Sequence, residues 1–150
     1  MGARLYPKTP RVYLDQDGPL FDFEAGAKSR GMSFEHYKQM AGAFISLEVT
    51  KGAIEAVQSI WDMGYEPWVM TKAPDSNPYA ATEKLLSINT HFPSLRGRVD
   101  ITSDKGKGRS CDFLVDDHPE WANASNFNGT VILFKDNWPE ILEILYRHKP

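Results

Sequence analysis

An apolar run that ends abruptly in two aspartates constrains this chain more than any other feature. Residues 12–14 read Val-Tyr-Leu, and Asp15 and Asp17 follow with one residue between them. Gly18 and Pro19 come next, and neither residue type extends a central strand well. The pattern predicts a buried strand that carries two carboxylates at its carboxyl end.

A second apolar run ends in the same way. Residues 113–115 read Phe-Leu-Val and are followed by Asp116 and Asp117. Acids after a strand are common in solvated turns, so one pair alone would carry little weight, whereas two independent pairs indicate a shared site. Carboxylates this close repel unless a proton or a cation offsets them, and such hard oxygen ligands suit Mg2+. The two runs therefore predict a metal site at one edge of a sheet.

Length, charge and cysteine content narrow the class of protein. With 150 residues, 41% of them hydrophobic, the chain can build one core, so we expect a single domain over 1–150. The net charge of -3 argues against generic binding to nucleic-acid polymers or anionic membranes. Cys111 is the single cysteine, residues 1–11 contain no apolar leader, and no window approaches a membrane span. These features predict a cytoplasmic protein with a small-molecule partner.

Strand-like and helix-like segments alternate along the chain. This alternation predicts an α/β fold with a mostly parallel central sheet and helices on both faces. A helix is predicted to begin at Pro78, with Asn77 before it, and to bury Ala81, Leu85 and Ile88. The other predicted segments are a helix opened by Thr50 and closed by Gly64, a last helix from about residue 138, and strands at 68–70, 99–101, 113–115 and 130–134.

Residues 19–49 form an unusually long connection between the first strand and the first long helix. Within them, Ser33 is a candidate helix cap, and Phe34, Tyr37 and Met40 recur at helical spacing. This pattern predicts a small helical lid inserted directly after the first pair of acids.

The predicted strand ends bring together residue types that suit phosphoryl transfer. A carboxylate can attack phosphorus, a divalent cation can neutralise phosphoryl oxygens, and a hydroxyl and an ammonium can hold the remaining oxygens. In chain order the candidates are Asp15 and Asp17, Thr71, Lys105, and Asp116 and Asp117.

This ordered set resembles the motifs of the haloacid dehalogenase-like phosphohydrolases. Within that superfamily, Asp-x-Asp-Gly-Pro-Leu-Phe-Asp-Phe-Glu at 15–24 and Asp-Phe-Leu-Val-Asp-Asp at 112–117 are similar to the runs found in 5'(3')-deoxyribonucleotidases. The resemblance implies a three-layer Rossmann-like fold with a cap at about 19–49. It also implies a Mg2+-dependent phosphomonoesterase that hydrolyses a small nucleotide through an aspartyl-phosphate intermediate.

The resemblance also implies a role for each matching residue. Asp15 would be the nucleophile, and Asp17 would be the general acid for the leaving group and then the base for water. Mg2+ would be held by Asp15, the backbone carbonyl of Asp17 and Asp116, with Asp117 supporting the metal shell. Thr71 and Lys105 would bind phosphate oxygens, and Phe23 would lie against the nucleobase.

Three assignments have rivals within the sequence. One residue more than the family pattern separates Lys105 from Asp116, so Lys107 competes for the phosphate, while Arg109 and the losing lysine are expected in a solvated loop. Lys72, beside Thr71, is expected to face water. Phe23 could instead belong to an aromatic core of the lid, together with Phe21, Phe34 and Phe44. This lid is also much shorter than that of the mammalian-type enzymes, where it supplies many base contacts.

Two other functions use similar residues. A phosphatase acting on a sugar phosphate or on a nucleic-acid 3'-phosphate end keeps the chemistry and changes the substrate. A phospho-accepting signalling module also uses acids, a threonine and a lysine at the ends of parallel strands. In that class the lysine comes last, whereas Lys105 precedes Asp116 here.

Overall fold

The computed structural model describes residues 9–150. Residues 1–8, which belong to the 1–11 segment expected to contain no leader, lie outside the described range. Five strands form one sheet in the order β3-β2-β1-β4-β5, and every neighbouring pair is parallel. This is the α/β sheet that the alternating sequence predicts. The strands are β1 (Arg11–Leu14), β2 (Glu66–Thr71), β3 (Val99–Ile101), β4 (Phe113–Asp116) and β5 (Thr130–Leu133).

The register aligns the carboxyl ends of the three central strands. Leu14, the last residue of β1, pairs with Val69 of β2 and with Val115 of β4. Because the strands run in the same direction, the residues that follow Leu14 and Val115 emerge at the same edge of the sheet as Thr71, the end of β2.

Within residues 9–150, five α-helices accompany the sheet, namely α1 (Phe23–Ser29), α2 (Phe34–Tyr37), α3 (Ala53–Asp62), α4 (Ala80–His91) and α5 (Trp138–Arg147). Ser33 caps α2 as expected, since its Oγ accepts a hydrogen bond from His36 N at 3.2 Å. Thr50 does not open α3, because its hydroxyl donates to Gly18 O at 2.6 Å and the helix begins three residues later. Among residues 9–150, no helix has the length and apolar character needed to cross a membrane.

The two faces of the sheet are covered differently. On one face, Val12, Leu14 and Val115 pack in a large apolar cluster with buried residues of α3, α4 and α5. On the other, Tyr13, Met70 and Leu114 pack with Ala124 and Phe127, in and beside a short 3-10 helix at Ala124–Asn126. The second helical layer is therefore reduced to one turn, because the connection from β3 to β4 is the polar 102–112 loop rather than a helix.

The buried face of α4 is polar, which the sequence did not predict. Ile88 is buried as expected, but Leu85 is 41% exposed. Glu83 and Lys84 are buried instead. The prediction for Leu85 was wrong because α4 lies beside the strand ends, where polar groups and the 19–49 segment supply hydrogen-bond partners to buried charged side chains.

Candidate active site

A buried lysine joins the ends of β1 and β4. Asp15 N donates to Val115 O at 2.9 Å, so Asp15 extends the sheet and lies beside Asp116. Lys105 Nζ lies 2.8 Å from Asp15 Oδ1 and 2.8 Å from Asp116 Oδ2. All three side chains are buried. One ammonium therefore neutralises two carboxylates at the centre of the sheet edge.

Lys105 is held in place by its backbone as well as by its side chain. Its N–H donates to Ala122 O at 2.7 Å, which ties the 102–112 loop to the segment after β4. Burial disfavours the charged form, but the two carboxylates outweigh it and raise the pKa of Lys105 above its usual range. Lys105 is therefore a cation at any physiological pH.

The carboxylates remain under-neutralised despite Lys105. Burial raises the pKa of Asp15 well above its ordinary value, Lys105 opposes this shift, and the charges of Asp116 and Asp117 add to it. Burial likewise raises the pKa of Asp117 to about 6. A further positive charge is needed to keep this cluster fully ionised at neutral pH.

Gly18 allows the loop after β1 to lie directly against Asp117. Its φ is +106°, a conformation that L side chains rarely adopt. A Cβ at this position would lie 2.5 Å from Asp117 Oδ2. The glycine after Asp17 is thus required both by the turn and by the carboxylate that faces it.

Asp17 is bound by a lysine that the sequence analysis did not select. Lys84 Nζ lies 2.9 Å from Asp17 Oδ2, 2.7 Å from Thr71 Oγ1 and 2.9 Å from Lys72 O. Lys84 and Thr71 are fully buried, whereas the Asp17 side chain is 28% exposed. Thr71 therefore meets Asp17 through Lys84.

The other basic candidates lie apart from this cluster. Lys107 pairs with Asp100 at 2.9 Å. Arg109 was expected in a solvated loop, but its guanidinium bonds the buried carboxylate of Asp112, with 2.9 Å between Nη2 and Oδ1. Lys72 has an exposed side chain, as expected, that lines the rim of the cavity above the acids.

The cluster forms the floor of a cavity of about 950 Å³. Lys84, Lys105 and the acids at the strand ends line it, whereas Thr71 does not. Ten carboxylates and five lysines contribute to its walls, so its field is negative overall. An anionic ligand bound there would need an additional cation.

One wall of the cavity is aromatic and comes from the 19–49 segment. Phe23, Phe34 and Phe44 line it. The Phe23 ring is stacked on Phe44, with 5.3 Å between centroids and 20° between planes, and it also contacts Phe34 and Tyr37. Phe23 therefore belongs both to the cavity wall and to the aromatic cluster within the segment.

Residues 38–44 of this segment are docked on α4 and the turn before it. Asn77 Nδ2 donates to Lys38 O and Met40 O, at 3.0 and 3.1 Å. Glu83 accepts from Gly42 N at 2.8 Å and from Phe44 N at 3.1 Å. The position of the aromatic wall relative to the floor is therefore set by α4.

Comparison with known proteins identifies a protein family for this chain. The sequence profile of the family described as "5' nucleotidase, deoxy (Pyrimidine), cytosolic type C protein" matches residues 23–149. The chain belongs to this family. The matched range includes Thr71, Lys84, Lys105 and Asp116.

Viral relatives and a solved structure agree with the assignment to this nucleotidase family. A protein of Vibrio phage KVP40, provisionally named 5'(3')-deoxyribonucleotidase, is 26% identical over 142 residues, 91% of this chain and 82% of the relative. A mimivirus protein with the same provisional name is 25% identical over 170 residues, 92% of this chain and 75% of the relative. A haloacid dehalogenase-like hydrolase from Xanthomonas campestris shares the fold, with a TM-score of 0.57, 14% identity, and 94% and 93% of the two chains covered. The protein is a phosphoric monoester hydrolase of the nucleotidase family, with the fold of a haloacid dehalogenase-like hydrolase.

The acids of this nucleotidase-family chain fit a divalent metal ion. One carboxylate oxygen from each of Asp15, Asp116 and Asp117 can lie within 4.8 Å of the others. Asp17 Oδ1 is buried and has no hydrogen-bond partner among the described residues. Oxygen donors that are close together and incompletely neutralised are the environment that hard cations prefer.

The spacing of Lys84 from apolar residues in the sequence indicates that its side chain is buried. Ala80, Lys84 and Ile88 are four residues apart and share one face of a helix, so the lysine interrupts an apolar stripe. A charge on the buried face of a helix needs a partner, and the nearest candidates were the acids already assigned to the strand ends. The sequence pattern therefore indicates a buried Lys84, whereas the buried face predicted above was Ala81, Leu85 and Ile88.

Proposed function

We propose that this family member is a Mg2+-dependent nucleotidase that hydrolyses small nucleotide monophosphates through an aspartyl-phosphate on Asp15. The observation that carries the proposal is the pairing of Asp15 and Asp116 by buried Lys105 on the floor of the cavity. The cavity volume of about 950 Å³ is suited to a nucleotide. Family membership supports a nucleotide phosphatase, and the metal and the covalent step are our inference.

Lys105 is suited to bind the phosphate. An ammonium has three protons, and two are used by Asp15 and Asp116. The third is available to a phosphoryl oxygen. Thr71 accepts from Lys84, but it is fully buried and does not line the cavity, so its expected contact with a phosphate oxygen stays a prediction. Lys107 has no such role in the proposal, because its partner is Asp100.

The first chemical step uses both acids at the end of β1. Asp15 Oδ1 accepts from Lys105 and from Gln16 N, which leaves Oδ2 for attack on phosphorus. As the bond from Oδ2 to phosphorus forms, the bond from phosphorus to the nucleoside oxygen breaks. Protonated Asp17 delivers its proton to that oxygen and becomes a carboxylate.

The second step regenerates the enzyme. The Asp17 carboxylate takes a proton from a water molecule, whose oxygen attacks the phosphorus of the aspartyl-phosphate. The acyl phosphate bond breaks, phosphate leaves, and Asp15 is restored as a carboxylate while Asp17 is protonated again. The nucleophile and the acid-base group therefore return to their starting states after each cycle.

Asp15, the backbone carbonyl of Asp17 and Asp116 would hold the Mg2+, with Asp117 supporting them. Bound there, the ion would supply positive charge against the phosphoryl oxygens. The raised pKa values of Asp15 and Asp117 support this assignment, since a cation beside them stabilises their charged forms.

We infer that residues 19–49 act as a cap and that their aromatic wall receives the nucleobase. Aromatic faces stack on any base, so Phe23, Phe34 and Phe44 would favour nucleotides over sugar phosphates. Cytoplasmic location and a single-domain organisation stay predictions.

The test is phosphate release by the purified protein across purine and pyrimidine 5'- and 3'-(deoxy)nucleotides, sugar phosphates and a 3'-phosphorylated oligonucleotide. Each substrate is assayed with Mg2+ and again with a chelator. We expect chelator-sensitive release from nucleotides only. As the matched control, Phe23→Leu should raise KM for nucleotides about tenfold and leave p-nitrophenyl phosphate unaffected, since only the nucleotide has a base to stack.

Other outcomes identify the rival functions. Release confined to a sugar phosphate or to the oligonucleotide end would replace the substrate assignment and keep the chemistry. A long-lived aspartyl-phosphate without turnover would indicate a phospho-accepting module. Hydrolysis that survives complete metal removal would overturn the Mg2+ requirement.

A further inference from the structure

Lys84 is a buried cation whose hydrogen bonds are all used inside the protein. It lies in α4, is 1% exposed, and borders the cavity floor. Its three ammonium protons have three acceptors, which are Asp17 Oδ2, Thr71 Oγ1 and Lys72 O, at 2.9, 2.7 and 2.9 Å. Unlike Lys105, it has no proton left for a substrate oxygen.

A purely structural explanation accounts poorly for a charge at this position. The stripe Ala80, Lys84, Ile88 faces the apolar core cluster, where an apolar residue would avoid the desolvation penalty of an ammonium. Lys84 faces the carboxyl group of Asp17, whose side chain is 28% exposed. Most of the desolvation penalty of the pair therefore falls on the buried ammonium. What the charge achieves is a fixed position for one oxygen of Asp17.

The two oxygens of Asp17 are thereby made unequal. Oδ2 accepts from Lys84, whereas Oδ1 is buried without a partner among the described residues. The orientation of the carboxyl group is therefore set by the contact at Oδ2. After Asp17 has given up its proton, its carboxylate still has the ammonium beside it.

We propose that Lys84 is a positioning residue for the proton-transfer step, holding the Asp17 carboxyl group in place and stabilising the carboxylate that forms. The inference rests on the proposed function, because it requires Asp17 to be the general acid. Lys84 acts through Asp17 and does not touch the substrate. The same ammonium donates to the Thr71 hydroxyl at the end of β2.

Leaving-group dependence separates this role from a structural one. Lys84→Met keeps most of the length of the side chain and removes its charge and hydrogen bonds. With thymidine 5'-monophosphate, whose leaving alkoxide needs a proton, kcat/KM, which reports formation of the aspartyl-phosphate, should fall about 100-fold. With p-nitrophenyl phosphate, whose leaving group departs without a proton, kcat/KM should fall no more than about threefold.

The matched control is Ile88→Val, four residues further along the same buried stripe of α4. It removes one methylene from the core and should lower Tm slightly, with kcat unchanged for both substrates. A fall in kcat/KM that is equal for the two substrates in Lys84→Met would overturn the positioning role. So would a nucleotide kcat/KM that remains at the wild-type level.

A stability cycle tests the contact without measuring activity. Lys84→Met should lower Tm in the wild-type background, because it leaves the Asp17 carboxyl group and the Thr71 hydroxyl without their donor. In an Asp17→Asn background the same change should leave Tm unchanged or raise it, because it removes a buried ammonium that has lost its acidic partner. Equal losses in both backgrounds would overturn the inference.

Failure of the proposed function has a different signature. Wild-type protein that hydrolyses neither thymidine 5'-monophosphate nor p-nitrophenyl phosphate would overturn the proposed function and the role of Lys84 with it. Wild-type protein that hydrolyses both, with Lys84→Met losing both equally, would overturn the role of Lys84 alone.

Discussion

Strand β4 carries buried carboxylates at both of its ends, and the two ends are neutralised differently. At the amino end, Asp112 is 1% exposed and accepts hydrogen bonds from Arg11 N and Arg109 N, both at 2.8 Å. The Arg109 guanidinium adds two more, at 3.1 and 2.9 Å. Burial opposes ionisation, but these bonds prevail and lower the pKa of Asp112.

At the carboxyl end the balance is reversed. Asp116 and Asp15 share Lys105, and Asp117 has no ammonium or guanidinium within salt-bridge distance among the described residues. Burial and mutual repulsion raise the pKa of Asp15 and bring that of Asp117 to about 6. The protein leaves these acids incompletely neutralised, and a bound ligand would supply the missing positive charge. Functional sites commonly reduce stability in this way.

A single loop supplies the cations of both ends. Residues 102–112 run from β3 back to β4, with Lys105, Lys107 and Arg109 two residues apart. Lys105 reaches the carboxyl end and Arg109 the amino end, while Lys107 pairs on the surface with Asp100. The comparison teaches that buried charge alone does not identify a site. What identifies it is the shortage of partners.

The largest expected effect is at the carboxyl end. Asp15→Asn should lower kcat about 10⁴-fold or more, since an amide oxygen cannot form the acyl phosphate. The fold should survive, and Tm should be unchanged or higher, because one of several repelling carboxylates is removed. Measurement of kcat together with thermal unfolding checks both statements. Turnover near the wild-type level would refute the covalent mechanism.

The amino end should respond in the opposite sense. Asp112→Asn should lower the free energy of unfolding by about 2 kcal/mol, because the charge-assisted hydrogen bonds from Arg109 and Arg11 are weakened. kcat per folded molecule should change by less than about twofold, since Asp112 lies outside the cavity. Urea denaturation and steady-state kinetics provide the two measurements. A large loss of kcat in folded protein would contradict the division between the two ends.

The pH dependence of stability is the control for this variant. The pKa of Asp112 is lower in the folded state than its ordinary value of 3.8, so the folded state favours the ionised form. Its contribution is complete above the unfolded-state pKa and is lost as the pH falls through the folded-state pKa. The stability difference between wild type and Asp112→Asn should therefore shrink as the pH is lowered from about 6 to about 3. A constant difference would mean that the lost stability does not come from the charge.

The sequence predicted the sheet and much of the carboxyl-end cluster for a physical reason. Apolar runs that stop at acids mark strand ends, and parallel strands bring those ends to one edge. Asp15, Asp116 and Lys105 therefore meet where the pattern indicated. The assignment of Thr71 to the phosphate stays a prediction, because a strand-end hydroxyl can turn inward, and here it contacts Lys84 and does not line the cavity.

The remaining contacts could not be read from local pattern. Arg109 and Asp112 are three residues apart in a loop, where spacing predicts no particular geometry, and their pairing depends on the amino end of β1. Lys84 was missed because a polar buried face of a helix looks like a weak amphipathic pattern until its partners are known. Both cases depend on a contact that is distant in sequence, with Arg11 in the first and with Asp17 in the second.

The smallest expected effect concerns the lysine that lies between the two ends. Spacing alone does not distinguish Lys105 from Lys107, because either could reach the phosphate from an extended loop. The Lys107 side chain is 44% exposed and pairs with a half-exposed carboxylate, so Lys107→Met should change the free energy of unfolding by less than about 0.5 kcal/mol. kcat/KM should change less than about twofold. Lys105→Met, its matched comparison, should lower kcat/KM by about 10² to 10³, because it removes the cation from both carboxylates and from the phosphate. If the two variants lost activity equally, the phosphate would be held by the loop as a whole, and the carboxyl end would not depend on one buried ammonium.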